Sequence, residues 1–154
     1  MTALPTGSSL RRVGGIAIAA GSLFVTAGVG AWCAVSKQLR DEKITVPENA
    51  PVLAGRPVQG PATAYVQALV IKRNAERAAG GRTFADISDA LRSAEAGSDE
   101  ANELRKQSAA LQAAAALRTS LMTSVLAYGV SALVAGLGLF FTVVGSQFRR
   151  AGKR

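Results

Sequence analysis

Five carboxylates stand close enough in sequence to do chemistry. Asp86 and Asp89 are three apart, and Asp99, Glu100 and Glu103 follow. Paired carboxylates can bind Ca²⁺ or exchange protons in general acid–base work. A Ca²⁺ loop alternates its oxygen ligands around a glycine turn, and that alternation is absent. The better reading is helix capping and a solvated face. Gly80-Gly81-Arg82-Thr83 stands before a helical stretch as a phosphate cradle would. It lacks the G-x-x-x-x-G-K-[ST] pattern, and a helix stop followed by a helix cap accounts for all four residues. No serine and lysine share the S-x-x-K spacing of a hydrolytic dyad.

The inventory closes other routes. The chain has one cysteine and no histidine. Zinc sites, His-ligated iron or haem, and Ser-His or Cys-His catalysis all lack their residues. Cys33 reads as a small residue near one end of an apolar run, with an intermolecular disulfide as its alternative. We therefore expect a non-enzymatic protein without cofactor or metal.

The elements that would carry these residues divide sharply by charge. The chain has 154 residues, 49% hydrophobic and 18% charged. Val13–Val35 holds no charge over 23 residues, roughly 34 Å of helix and enough to cross a hydrocarbon core of ~30 Å. A second uncharged run lies between Arg118 and Arg149, with its apolar part at Leu121–Gly145. Both read as transmembrane helices. The first is longer than the ~7–15 residues of a cleaved signal's apolar region, and bulky Trp32 sits where a cut would need small residues. It reads as an uncleaved anchor.

Charge also sets the expected orientation. Arg11, Arg12, Arg149, Arg150, Lys153 and Arg154 form tails without an acid, while residues 36–119 hold the other twelve bases and all ten acids. Bases near membrane ends stay cytoplasmic. The expected layout is a cytoplasmic tail 1–12, a span 13–35, an extracytoplasmic domain 36–119, a span 120–146 and a basic cytoplasmic tail 147–154. The tails read as topology determinants that touch anionic lipid, not nucleic acid.

Within the middle segment, Pro47, Pro51, Pro57 and Pro61 exclude regular helix from Asp41 to Pro61. Lys43–Val46 reads as a short strand. A helix starts at Pro61 and stops at Gly80-Gly81. Its apolar half is Tyr65, Val66, Leu69, Val70 and Ile71, which must bury against something. A second helix follows a Thr83/Asp86 capping box, with Phe84, Ile87 and Leu91 on one face. A third starts near Ser98. No proline follows, and alanines crowd Ala109–Ala116, so it should continue unbroken into the second span to about Phe148. The fold class is thus an all-α membrane protein: a two-helix transmembrane hairpin with a small helical extracytoplasmic domain.

Small residues mark the spans for packing. Gly14, Gly21 and Gly28 recur every seven residues, with Ala17 and Ala31 beside them and Val25 off the stripe. In the second span Gly129, Ala132 and Gly136 form one stripe, and Gly138 and Gly145 another. Small residues on one face let membrane helices approach closely. Neither span contains an ionisable side chain of the kind that marks ion or proton paths.

The run Glu42-Lys43-Ile44-Thr45-Val46, then Ala50-Pro51, Leu53-Ala54-Gly55, Val58, Gly60-Pro61, Thr63-Ala64-Tyr65 and Gln67-Ala68 resembles a known group. It is the small actinobacterial two-span membrane proteins that commonly carry the automatic label "aromatic ring-opening dioxygenase". The likeness covers the segment from the end of the first span to about Ile71 and resumes across the second span. Glu95–Ala116 is longer and richer in alanine than that group leads one to expect. The label's chemistry needs two histidines and a carboxylate on iron, which this chain cannot supply. What the resemblance implies is an envelope protein whose partners are the lipid bilayer and a larger membrane complex, respiratory or cell-wall, in which it is an accessory subunit. A homodimer, or a stand-alone sensor with a ligand- or protein-binding outer domain, is the alternative.

Overall fold

The computed structural model describes residues 7–153. Four helices follow in order: α1 Gly7–Asp41, α2 Pro61–Ala78, α3 Phe84–Ser93 and α4 Asp99–Ala151. Among the described residues there is no β-strand beyond an isolated bridge between Thr45 and Pro57. Both α1 and α4 are long and apolar enough to cross a membrane, and most of each apolar stretch is exposed. The helices outrun the charge-free stretches because nothing local stops them. No proline or glycine interrupts α4 before Gly129, so one helix of 53 residues runs about 80 Å at ~1.5 Å per residue. Ser98 starts it, its Oγ accepting from the Ala101 amide at 3.1 Å.

The chain forms two compact units. The first comprises residues 7–37 and 126–153, an antiparallel pair made from α1 and the C-terminal part of α4. The second is Gln38–Val125. There the segment between α1 and α2 folds back on itself. The Val46 amide donates to Arg56 O at 2.9 Å, the Gly55 amide to Val46 O at 2.9 Å, and the Val58 amide to Ile44 O at 2.8 Å. The expected strand Lys43–Val46 is thereby reduced to a single bridge. Pro47 and Pro57 lack amide donors, so a longer ladder cannot form. Val46 and Val58 are buried at the base of this fold-back.

The helix boundaries follow from local chemistry. Gly60 N–H donates to Thr63 Oγ1 at 3.3 Å before Pro61 opens α2. At its other end the Gly81 amide donates to Glu76 O at 2.8 Å and the Gly80 amide to Arg77 O at 3.0 Å. That is a Schellman motif, and it requires the left-handed backbone that Gly80 adopts at φ 63°. Thr83 and Asp86 form the expected capping box: the Asp86 amide donates to Thr83 Oγ1 at 3.2 Å, and the Thr83 amide to Asp86 Oδ2 at 2.7 Å.

The core of this unit includes Ala79, Ile87 and Leu104, flanked by Ala90, Leu91, Ala94 and Leu111. Of the apolar face expected on α3, Ile87 is buried and Leu91 half-buried, whereas Phe84 at the first turn is exposed. α2 buries Ala64, Val66, Gln67, Ala68 and Val70, leaving Tyr65 and Leu69 exposed. Its buried face combines Ala64 and Ala68 with Val66, Gln67 and Val70, while Tyr65 and Leu69 lie outside it.

Candidate functional site

The closest packing in the first unit is a seam of glycines. A Cβ at Gly14 would stand 2.5 Å from Gly145 O; one at Gly28 would stand 2.6 Å from Ser131 O. At Gly21 it would meet Gly138 O at 2.6 Å and also Thr142 Oγ1. Gly7 and Gly152 extend the series, with Gly7 3.0 Å from Gly152 O by the same measure. In every pair the two residue numbers add to the same total, so two heptad series run past each other in antiparallel register. Larger residues fill the alternate positions. Ile18 lies against Gly145, Val25 against Gly138, and the Trp32 ring meets Tyr128 edge-on at 4.6 Å. Spacings of three and four along both helices give the 3.5-residue period of an antiparallel coil.

The small-residue stripes divide within this unit. Gly14, Gly21 and Gly28 are in the seam, but Gly129 and Gly136 face open space and Ala132 is exposed. Two positions along a helix are about 200° apart, so Gly129 and Gly136 lie behind Ser131 and Gly138. Val25 is in the seam and not off it. The partner series in α4 is Ser131, Gly138, Gly145 and Gly152; Ser131 is not a glycine and Gly152 lies beyond the apolar run, so neither stands out in the sequence.

Polar groups in the seam are satisfied locally. Ser131 Oγ donates to Ala127 O at 2.7 Å and Thr142 Oγ1 to Gly138 O at 2.9 Å. Ser36 Oγ and Tyr128 Oη are hydrogen-bonded at 2.8 Å. Such bonds are what apolar surroundings demand of a hydroxyl. Cys33 is exposed.

The motif residues are spread over the fold-back and the start of α2. Lys43 and Leu53 both adopt positive φ, 52° and 57°. Gly55 does so at 68°, and a Cβ there would also come within 3.0 Å of Glu48 Oε1. Ile44, Thr45 and Val46 carry the backbone pairing, Pro51 lies in the exposed turn, Pro61 opens α2, and Tyr65 is exposed. They form a structural device, with no convergence of reactive groups. No family model, curated protein or solved structure matches this chain.

The carboxylates follow the capping and solvated reading. Asp86 is held below the ordinary carboxylate range, first by the Thr83 amide and then by the Thr83 hydroxyl. Asp89 pairs with Arg92, and Glu103 with Lys106 at 4.0 Å, all exposed. Among the described residues no three of His, Cys, Asp and Glu are grouped to hold a metal ion. Two concavities stand out by chemistry. One, of about 480 Å³, is lined by Ser8, Arg11, Arg12, Gly15 and Arg149. The other, of about 420 Å³, lies in the second unit between α2, the turn before α3 and α4.

Proposed function

We propose that this chain is a two-span membrane protein with both termini cytoplasmic and residues 36–119 outside. It acts as a non-catalytic accessory or stabilising subunit of a larger actinobacterial envelope complex, respiratory or cell-wall. The observation that carries the membrane reading is the seam. Two long apolar helices pack backbone against backbone through glycine, and their large apolar side chains, such as Ile16, Leu23, Leu133 and Leu139, point outward. In water that arrangement exposes what it should bury; in lipid it is the stable one, because close dispersion contact holds membrane helices together. Six tail bases without an acid support the orientation; Arg154 lies outside the described residues.

Three features support the subunit role. The residue inventory offers no catalytic set, and the resemblance of the Lys43–Tyr65 motif is to envelope proteins. The outward stripe of Gly129, Ala132 and Gly136 leaves α4 a second face on which another helix can approach closely. Purification of the full chain in mild detergent tests this. A stoichiometric larger partner should accompany the wild type and the Val130→Leu control, exposed but off this stripe, and be lost from Gly136→Leu. A lone monomer or homodimer contradicts the subunit role. The groove of the outer unit favours a second reading, a stand-alone sensor, which predicts that lone species.

A further inference from the structure

The groove between α2 and α4 is lined by apolar and cationic side chains together. Phe84, Leu111 and Ala115 line it together with Lys72, Arg82 and Arg118. Its one carboxylate, Glu76, is answered by Lys72 at 3.6 Å. Arg82 is steadied by a 2.7 Å bond from Nη2 to Gln107 Oε1, which leaves most of its five donors for another acceptor. No acid pairs with Arg118 among the described residues. A net positive lining interleaved with apolar side chains complements an anionic headgroup and its carbon skeleton. At about 420 Å³ it falls within the ~300–1,000 Å³ of small-molecule sites.

The position of the groove on α4 identifies the source of that molecule. Arg118 is the last charged residue before the uncharged run that ends at Arg149. From Arg118 back to Leu111 the helix rises about 10 Å. The groove therefore starts where α4 would leave the hydrocarbon and extends through headgroup depth. We propose that it seats one anionic phospholipid of the adjoining leaflet. Lys72, Arg82 and Arg118 hold its phosphate, Phe84, Leu111 and Ala115 border the carbons of its headgroup, and its tails stay in the leaflet. Guanidinium forks suit phosphate by geometry as well as charge. This inference rests on the membrane reading of α1 and α4.

The test uses the full chain in mild detergent and native mass spectrometry, with equal phosphatidylglycerol and phosphatidylcholine. One phosphatidylglycerol should be retained preferentially. Arg82→Gln/Arg118→Gln should weaken retention roughly tenfold or more, since hydrogen bonds to charged groups are the strong ones. Arg77→Gln, outside the groove, should retain it like wild type. A photoreactive phosphatidylglycerol gives a readout independent of any variant: its label should fall on α4 between Leu111 and Arg118. Label confined to the Arg11 and Arg12 end, equal retention by the double variant, or displacement by equimolar inorganic phosphate would each overturn the proposal. Flotation with phosphatidylcholine vesicles separates the two claims. A chain that does not float contradicts the membrane reading itself. A chain that floats but shows no preference for phosphatidylglycerol contradicts the groove alone.

Discussion

Gly21 and Gly138 face each other reciprocally: a Cβ on either one would stand 2.6 Å from the carbonyl oxygen of the other. No real side chain tolerates that distance to backbone, so the two helices meet at main-chain contact. Every other position of the seam takes its spacing from such pairs. A leucine at Gly21 is as comfortable in lipid as glycine, so insertion should survive. Close packing should not: forcing atoms into a filled contact costs about 1–3 kcal/mol, and here the obstacle is backbone. Gly21→Leu should lose helix pairing in a detergent unfolding titration. Val29→Leu, on the exposed side of α1, should match wild type.

Tyr128 is buried, and its hydroxyl meets Ser36 Oγ at 2.8 Å. Tyr128→Phe keeps the ring against Trp32 and removes the bond. It should cost about 0.5–1.5 kcal/mol in the same titration. Tyr128→Ala removes the ring as well and should cost about 3–5 kcal/mol. Equal losses for both variants would assign the whole effect to the hydroxyl.

The legible parts of the fold were those set by neighbours in sequence. Pro61, Gly80-Gly81, Thr83 with Asp86, and Ser98 before Asp99 mark helix ends because caps act over three or four residues. The heptad of Gly14, Gly21 and Gly28 was legible for the same reason. Which stripe of α4 would meet it was not. Gly129–Ala132–Gly136 and Ser131–Gly138–Gly145 are equally small, and only the register of one helix on the other chooses between them. The fold-back from Lys43 to Val58 was unreadable for a related reason. Two of its three left-handed residues are a lysine and a leucine, types that rarely adopt that conformation.

That fold-back supplies a conformational test. Leu53 is exposed and holds φ at 57°, a conformation that costs an L-residue roughly 1–2 kcal/mol relative to its preferred regions. Leu53→Gly should leave thermal stability unchanged or raise it. Leu53→Val, branched at Cβ, should lower it. The opposite order would show that the Leu53 side chain makes a contact worth more than its strain.

Asp86 gives a pH signature. Its folded pKa lies below the ordinary aspartate value of 3.8, so its contribution to stability is fully present above that value. It fades as pH falls through the folded value, when the carboxylate that accepts the Thr83 amide is protonated. Asp86→Asn should flatten this part of the acid limb of an α3 melting curve. Its pH profile should stay parallel to wild type above pH 5.

The α4 helix passes without a break through its alanine-rich stretch, where Ala113 is exposed. Proline there removes a backbone donor and strikes the preceding turn, at a cost of about 3 kcal/mol or more. Ala113→Gly should cost only about 1 kcal/mol. Circular dichroism of both variants should separate them by that margin. Equal melting of the two would mean that this stretch is not helical.

The central claim is that α1 and α4 cross a bilayer, with residues 36–119 extracytoplasmic and both tails cytoplasmic. Paired topology reporters test it directly, one inserted at Gly97, in the exposed turn between α3 and α4, and one fused after Arg154. The account predicts an extracytoplasmic signal at Gly97 and a cytoplasmic signal after Arg154 in the same cells. A cytoplasmic signal at both positions would contradict it.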